Sequence, residues 1–435
     1  MVSANHKPRS STARVRLLCV LVSTLGAMAV PAAVTTAGSV PRASPEDVGL
    51  STERLERIAE AMNRHIEAGD VAGVVTLVAR RGRIAHLEAY GVMNLETREP
   101  MRTDAIFGLA SMSKPITGVA IMMLVEEGKI RLADPVSRFI PEFVNLNKVA
   151  VPRAAAESGA PAGDAAFDLV PATREITIRD LLTHGSGLMS GGAGARAAAD
   201  LAQRAPDDTL GTYIPKLAAA PLDFQPGTLW RYSGLAGFDV LSRVVEVVSG
   251  QTFDAFLEER LFAPLDMNDT GFYFSGASAR RVATNHARTP EGLRVAPREL
   301  SSTYFSGAGG LASTAEDYLQ FAQMLLDGGE LDGSRYLGPR TVELMTANHT
   351  GDMVNGQFGR PARGMGFGLS LEVVLDPVAA GLSVSTGAFS WQGGTGVGFW
   401  AEPEEEIVSI FMVQGGAAGT VRRSFENAVR QAIIA

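Results

Sequence analysis

Cysteine is almost absent from this sequence, and the one that occurs lies near the N-terminus. The 435 residues contain only Cys19, inside the apolar run LLCVLVSTLGAMAVPAAV at positions 17–34. A basic start, a short apolar run and small residues are typical of a secretory signal peptide, which we expect to end near residue 37. The alternative is a membrane anchor, but the uninterrupted apolar part is shorter than the ~20 residues that a spanning helix needs. We therefore predict a secreted or periplasmic protein that has no cysteine chemistry and no membrane contact after signal removal.

Positive charge is also scarce. The chain has 39 Lys and Arg against 47 Asp and Glu, a formal charge of −8. Its first forty residues hold four basic residues and no acid, so the remainder has 35 basic and 47 acidic residues, a charge of −12. This balance argues against nucleic acid or an anionic membrane as a partner, because both require clustered Lys and Arg.

Sequence patterns for metals and nucleotide cofactors are missing as well. The six histidines are scattered without an H-E-x-x-H pattern, and no glycine-rich nucleotide-binding motif precedes a predicted helix. We expect neither a metal nor a cofactor. His184 lies in LLTHGSGL, but the chain has no G-x-S-x-G motif, so we interpret it as a structural hydrogen-bonding histidine and not as part of a Ser-His triad.

Lysine occurs only five times, and one lysine stands in an apolar segment. Lys114 lies in FGLASMSKPITGVAIMMLVEEGKI, three positions after Ser111. Burying an ammonium there is costly unless the protein uses it. Pro115 belongs in the first turn of a helix, so the helix is predicted to start near Ser111.

Serine and lysine three positions apart share one face of a first helical turn. The amine can then take the hydroxyl proton, and the free backbone N–H groups favour a developing negative charge, which suits a nucleophile. On this pattern alone, an N-cap serine beside a lysine that reaches the surface is an equally good interpretation.

Strand patterns occur at both ends of the chain, with helix patterns between them. Two strands joined by a turn at Arg81 and Gly82 are predicted in AGVVTLVARRGRIAHLEAYGVMN. Beyond residue 364, strands are predicted in GFGLSLEVVL, GVGFWAEP and EIVSIFMVQ. This order predicts an α/β lobe from residues 45–130 and 340–435, interrupted by a helical lobe at 131–339. A cleft between the lobes is the expected place for a site.

Turn and cap signals predict the limits of several elements. The Ala-, Gly- and Pro-rich passage 149–173 predicts an exposed loop insertion. Helix starts are predicted where Thr177 pairs with Asp180 and Ser313 with Glu316. The closing helix is predicted to begin near Ser424.

Two later motifs extend the Ser-Lys pattern. PGTLWRYSG places Tyr232 between a Pro-Gly turn and an apolar helix, and WQGGTGVGFW opens a glycine-rich edge at Trp391. In this order and spacing S-x-x-K, Y-x-x and W-x-G, with LLTHGSGL and GAGGLASTAEDYLQFAQML, resemble the serine hydrolases of the β-lactamase-like fold. That family includes class C β-lactamases, D-amino-acid peptidases and family VIII carboxylesterases. The resemblance covers residues 45–435 and implies an α+β fold, with an antiparallel sheet flanked by helices plus a helical lobe.

The resemblance also implies roles for individual residues. Ser111 would be the acylated nucleophile, and Lys114 with Tyr232 would form the general base that takes and returns its proton. A lysine ammonium beside the tyrosine would lower the pKa of its hydroxyl. The backbone N–H groups of the oxyanion hole would be those of Ser111 and Gly394. The substrate-binding residues would be Trp391 and Gly393.

Two departures from the β-lactamase pattern predict the substrate class. The lysine of the usual K-T-G motif is Trp391 here, and the asparagine of the second motif is Gly234, so two polar anchors for an antibiotic are missing. Because an apolar pocket accepts many shapes, we expect a small-molecule carboxylic ester to be cleaved through an acyl-enzyme. One alternative is amide hydrolysis by a β-lactamase or D-amino-acid peptidase; another is a cell-wall-binding or scaffold relative without turnover. Nothing in the sequence indicates the oligomeric state.

Overall fold

The computed structural model of the protein describes residues 1, 40–144, 148–152, 167–297, 300–354, 356 and 363–434. The predicted signal peptide lies outside the described residues apart from Met1, and so does Cys19. From Val40 onward the described residues belong to one compact unit. No helix within these ranges is long and apolar enough to cross a membrane.

Helices occur along the whole of the described chain. The α-helices are, in chain order, α1 (Thr52–Glu67), α2 (Ser113–Glu126), α3 (Ile178–Leu182), α4 (Ala193–Ala197), α5 (Leu210–Leu217), α6 (Ala236–Ser249), α7 (Phe253–Leu257), α8 (Gly276–Ala279), α9 (Ala315–Leu326), α10 (Pro339–Met345), α11 (Pro377–Ala380) and α12 (Ala418–Arg430). The shorter helical turns are Pro45–Val48, Ala110–Met112, Val136–Arg138, Pro141–Phe143, Ala199–Ala202 and the π-helical Glu258–Phe262.

Strands are concentrated near the two ends of the chain. They are β1 (Gly73–Arg80), β2 (Arg83–Gly91), β3 (Phe107–Gly108), β4 (Lys148–Pro152), β5 (Phe167–Pro171), β6 (His286–Thr289), β7 (Gly292–Val295), β8 (Ala312–Ser313), β9 (Glu330–Leu331), β10 (Ser334–Arg335), β11 (Met365–Phe367), β12 (Glu372–Val374), β13 (Phe389–Gln392), β14 (Gly398–Glu402) and β15 (Ile407–Val413).

The main sheet joins the first strands of the chain to the last. Its seven strands run antiparallel in the order β11-β12-β13-β14-β15-β1-β2. In the β1–β15 pair, Val74 lies opposite Val413 and Arg80 opposite Ile407. The lobe limits drawn from the sequence, 45–130 with 340–435 and 131–339, stay a prediction.

Helices cover both faces of this sheet. Alternate residues of β1 point to opposite sides, and both sets are buried against helices. Val74 and Val78 lie in an apolar cluster with residues of α1 and α12, such as Phe425. Val75 and Leu77 belong instead to the larger core that includes α2 and α9. The predicted α+β class, an antiparallel sheet flanked by helices, is confirmed.

Two local predictions are also confirmed. The β1–β2 turn is formed by Arg81 (φ 52°) and Gly82 (φ 68°), and two left-handed residues match the twist of a tight hairpin. At the start of α3, the side chains of Thr177 and Asp180 each accept a hydrogen bond from the other residue's backbone N–H, which is a capping box.

The predicted starts of two later helices are wrong. The N-terminus of α9 is capped by Thr314, whose hydroxyl accepts the Asp317 N–H at 3.1 Å, because Ser313 is used in β8. Helix α12 begins at Ala418 and not near Ser424. Left-handed glycines at 415 and 416 end the extended chain after β15, so the next residues turn directly into the helix.

The sequence also understated the amount of strand. Within the passage 149–173, predicted to be a loop, β4 pairs with β5, Lys148 lying opposite Pro171. Residues 153–166 of that passage lie outside the described chain. Strand β13 was not predicted, because glycines that follow soon after Trp391 are typical of a loop. In the structure, pairing with both β12 and β14 keeps this segment extended.

Candidate active site

Ser111 lies at the point where an irregular segment becomes α2. The turn Ala110–Met112 leads directly into the helix at Ser113, as the position of Pro115 predicted. The segment before the serine is fixed because β3 pairs with β8. Ala110 has a left-handed backbone (φ 46°), which is uncommon for a residue with a side chain and marks a sharp bend just before the serine.

Three reactive groups predicted from two separate motifs come together at this point. The Ser111 Oγ lies 2.6 Å from the Tyr232 hydroxyl oxygen and 3.2 Å from the Lys114 Nζ. Ser111 and Tyr232 are partly exposed, whereas Lys114 is fully buried. The hydroxyl oxygen of Ser111 can therefore pass its proton to either neighbour and still be reached by a substrate.

The surroundings of Lys114 change its acid–base behaviour. Its Nζ donates to the carbonyl oxygens of Gly234 and Ala308, both at 2.7 Å. Burial lowers the pKa of Lys114 to about 7, because desolvation disfavours the ammonium, while the charge of Asp239 acts in the opposite direction. The amine is thus available as a proton acceptor near neutral pH. The sequence pattern indicated this role for Lys114 but not the lowered pKa.

Asp239 is a buried residue beside the site that the sequence analysis missed. It lies on α6, and its carboxylate accepts hydrogen bonds from Tyr304 and Ser306 and from the Ala308 N–H. Burial raises the pKa of the Asp239 carboxyl, and those hydrogen bonds together with Lys114 oppose the rise. An acid in the apolar run GFDVLSRVV is the same signal that singled out Lys114 and could have identified it.

Tyr232 is held by an aromatic cluster behind the hydroxyl. The ring centroid of His184 is 4.6 Å from that of Tyr232, and the ring centroid of Trp391 is 5.8 Å away. The Nδ1 atom of His184 accepts the Ser233 N–H at 3.3 Å, so the histidine fixes the backbone next to the tyrosine. The Ser111 Oγ therefore contacts Tyr232 and Lys114, whereas His184 holds the backbone segment that carries Tyr232.

The third motif forms one wall of a cavity in front of Ser111. The cavity has a volume of about 620 Å³, and Ser111 and Tyr232 line it together with Trp391, Gly393 and Gly394. Trp391, on β13, is 3% exposed, so most of the ring is covered by the aromatic cluster. Sequence reasoning therefore identified residues that the fold does bring to one cavity.

The two glycines of the motif differ in what surrounds them. A Cβ on Gly393 would lie 2.2 Å from the carbonyl oxygen of Leu109, so the strand end packs directly against the segment that carries the serine. A Cβ on Gly394 would meet no heavy atom within 4 Å, so this residue faces open space. Within the described chain the backbone N–H groups of Ser111 and Gly394 make no hydrogen bond, which leaves two donors at the cavity.

The charged groups of the described residues do not form a metal centre. No group of three or more His, Cys, Asp or Glu side chains in the described ranges is arranged to hold a metal ion. The arrangement around Ser111 can activate a hydroxyl nucleophile by proton transfer.

Comparison with known proteins gives consistent results. The Beta-lactamase family model matches residues 56–432. An uncharacterized protein of Mycobacterium tuberculosis (strain CDC 1551 / Oshkosh) is 36% identical over 363 residues, 80% of this chain and 87% of that protein. Esterase EstB of Burkholderia gladioli is 31% identical over 386 residues, 83% of this chain and 89% of the esterase.

A solved structure agrees with the sequence relatives. EstCE1, described as a hydrolase with promiscuous acyltransferase activity, superposes with a TM-score of 0.71 at 26% identity, covering 88% of this chain and 99% of that chain. The family model spans most of the described residues, including the segments around Ser111, Tyr232 and Trp391. The chain therefore belongs to the Beta-lactamase family and is a serine hydrolase with the β-lactamase fold.

Proposed function

We propose that this protein is a secreted serine hydrolase that cleaves carboxylic esters through a covalent acyl-enzyme on Ser111. The observation that carries the proposal is the meeting of the Ser111 Oγ with the Tyr232 hydroxyl at 2.6 Å and the Lys114 Nζ at 3.2 Å. A hydroxyl becomes an effective nucleophile when a base within hydrogen-bond reach removes its proton as it attacks.

In the proposed acylation, Lys114 acts as the proton acceptor. Two carbonyl oxygens, those of Gly234 and Ala308, take two of its N–H groups, so the lone pair of the neutral amine is free to face Ser111. The Ser111 Oγ forms a bond to the ester carbonyl carbon while its proton moves to Nζ. When the C–O bond to the alcohol breaks, the proton passes through the Tyr232 hydroxyl to the departing oxygen.

Deacylation repeats the same steps with water as the nucleophile. Water gives a proton to the Lys114 and Tyr232 pair and attacks the acyl carbon, and the bond to Ser111 breaks as Oγ regains its proton. In both steps the negative charge on the former carbonyl oxygen is held by the backbone N–H groups of Ser111 and Gly394. Such donors commonly contribute ~10²–10³ in kcat.

Ester substrates are favoured over β-lactams by the composition of the cavity wall. Trp391 occupies the position where the family pattern has a lysine, and Gly234 supplies only a backbone carbonyl, which is already bonded to Lys114. A relative of 31% identity is named an esterase, which points the same way. Amide hydrolysis on the same residues is the alternative, and a relative without turnover is disfavoured because Ser111, Lys114 and Tyr232 are all present.

A substrate panel tests the proposal. We expect purified protein lacking residues 1–37 to hydrolyse p-nitrophenyl butyrate at least a hundredfold better in kcat/KM than nitrocefin or a D-Ala-D-Ala peptide. This ratio corresponds to about 2.7 kcal/mol of transition-state stabilisation. The Ser111→Ala variant is the blank for each substrate. Equal kcat/KM for nitrocefin and the butyrate ester would replace the esterase assignment with that of a β-lactamase.

The proposed secretion is tested separately. When the full chain is expressed in a bacterium, we expect the protein outside the cytoplasm with a new N-terminus between about residues 29 and 37. Sequencing of that N-terminus is the measurement. Recovery of uncleaved protein from the cytoplasm would contradict secretion, and uncleaved protein in the membrane fraction would favour an anchor.

A further inference from the structure

The Asp239 carboxylate is embedded in a set of donors that belong to one short segment, residues 304–308. Its Oδ2 accepts the Tyr304 hydroxyl at 2.8 Å, and its Oδ1 accepts the Ser306 hydroxyl at 2.6 Å and the Ala308 N–H at 3.2 Å. Asp239 itself is 3% exposed. A buried carboxylate with three donors is a specific arrangement, because burying such a charge without partners is costly.

The segment 304–308 is also fixed at Gly307 from two helices. The Gly307 N–H donates to the Ser242 hydroxyl of α6 at 3.2 Å, and the Gly307 carbonyl accepts the Thr117 hydroxyl of α2 at 2.8 Å. A Cβ at Gly307 would lie 2.1 Å from the Ser242 Oγ, so only glycine fits. The next residue, Ala308, therefore has little freedom to move.

Ala308 connects the carboxylate to the catalytic amine through its own backbone. Its N–H is bonded to Asp239, and its carbonyl accepts Lys114 Nζ at 2.7 Å. Asp239 thus sets the direction of an acceptor that holds Lys114, and it brings a negative charge close to the amine.

We propose that Asp239 is a positioning residue for Lys114: it fixes the Ala308 carbonyl against Nζ and stabilises the positive charge that Lys114 gains when it takes the proton of Ser111. The inference rests on the proposed function, in which Lys114 is the proton acceptor. A preorganised charge aimed at a charge that develops during the reaction lowers the barrier without affecting ground-state binding.

Other ionisable groups face Asp239 and Lys114 from neighbouring elements. The Tyr232 ring lies 5.1 Å from Lys114 Nζ. Beyond Tyr304, the Tyr213 ring packs edge-on and the exposed guanidinium of Arg204 lies 3.8 Å above the Tyr304 ring. Arg204 is in contact with solvent, so its charge is screened more strongly than that of Asp239.

The Asp239→Asn variant separates the charge from the hydrogen bonds. The amide oxygen can still accept the Ser306 hydroxyl and the Ala308 N–H, and the amide NH₂ can donate to the Tyr304 hydroxyl oxygen. We expect kcat for p-nitrophenyl butyrate to fall about tenfold or more with KM within twofold of wild type. Without the negative charge of Asp239, the ammonium form of Lys114 is less favoured and its pKa falls. The low-pH limb of the kcat/KM profile should therefore shift to lower pH by about one unit.

Asp317→Asn is the matched control. Asp317 is likewise a buried aspartate with hydrogen bonds from three residues, Thr270, Thr314 and the Asp269 N–H, but it lies in the first turn of α9, and its hydrogen bonds do not involve Ser111, Lys114 or Tyr232. We expect this variant to change the melting temperature and to leave the acidic limb where it is in the wild type. A general loss of packing would affect both variants alike.

A second variant covers the case in which Asp239→Asn does not fold. Tyr304→Phe keeps the ring and the Asp239 charge but removes one donor, and we expect a smaller fall in kcat with unchanged KM. The inference is overturned if folded Asp239→Asn has the kcat of the wild type and the low-pH limb of its kcat/KM profile does not move. If Asp239→Asn does not fold, a wild-type kcat in Tyr304→Phe overturns it. Lys114→Ala is measured in parallel. If this variant retains the kcat/KM of the wild type, the proposed function fails as well. If Lys114→Ala loses activity while Asp239→Asn is unaffected, only the inference about Asp239 is overturned.

Discussion

The hydroxyl oxygens of Ser111 and Tyr232 are 2.6 Å apart although the two residues are 121 positions apart in the chain. Ser111 lies just before α2 and Tyr232 just before α6, and these two helices pack against each other. Lys114, one helical turn after the serine, completes the group with its Nζ 3.2 Å from the Ser111 Oγ. The site therefore depends on the contact between two helix starts, and disturbance of either start would separate the groups.

Covalent labelling tests the nucleophile. A fluorophosphonate probe is expected to add one mass to the tryptic peptide that contains Ser111 and to none in the Ser111→Ala variant, because only an activated hydroxyl reacts. Ser113→Ala is the control: its hydroxyl is buried and accepts the Leu311 N–H, so labelling should persist in this variant. Labelling that survives Ser111→Ala would place the nucleophile elsewhere.

Lys114 and Tyr232 are expected to act as one unit. Lys114→Ala and Tyr232→Phe should each lower kcat/KM by about 10³-fold or more, and the double variant should lose little beyond the worse single variant. The measurement is a double-mutant cycle on one ester substrate. If the two losses multiply, the residues contribute independently and the proposed proton path through both is wrong.

Activity is expected to fall as the pH drops below neutral. Burial lowers the pKa of Lys114 to about 7, and only the unprotonated amine can accept the serine proton. The kcat/KM should thus rise through pH 7 and decrease about tenfold for each pH unit well below it. Lys114→Arg, which stays charged at every accessible pH, should be inactive throughout. A flat profile between pH 5 and 8 would show that Lys114 is not the titrating base.

The two glycines of the third motif should respond differently to alanine. Gly393→Ala forces a Cβ to within 2.2 Å of the Leu109 carbonyl oxygen, and overpacking of this kind costs about 1–3 kcal/mol in the free energy of unfolding. Gly394→Ala meets no heavy atom within 4 Å and should stay within ~0.5 kcal/mol of wild type. Urea unfolding of the two variants measures the difference, and equal stabilities would mean that Gly393 is not tightly packed.

Much of the local structure was predictable because its causes are local. The Arg81 and Gly82 turn and the Thr177 and Asp180 cap each depend on a few adjacent side chains, and both were predicted correctly. Apart from the start of α12, the errors arose where partners distant in the sequence determine the structure. Serine is a residue type that commonly caps helices, but the hydroxyl of Ser313 is hydrogen-bonded to that of Thr270, 43 positions away. The next residue, Thr314, caps α9 instead.

The sequence alone determined which chemical groups are present and the order in which they occur. A lysine in an apolar segment, a serine three positions earlier, a later tyrosine and a glycine-rich edge were enough to identify the family and to predict the residues of the candidate site. The spacing of three positions places Ser111 and Lys114 on one face, because the turn Ala110–Met112 continues directly into α2.

Only the tertiary structure decided how these groups behave. The low pKa of Lys114 arises from complete burial, and burial is a property of the whole core and not of neighbouring residues. The link from Asp239 through Ala308 to Lys114 joins three segments of the chain, and hydrogen bonds at that separation are set by packing. Local sequence specifies the groups, while their distances, solvation and charge depend on which remote segments the fold places around them.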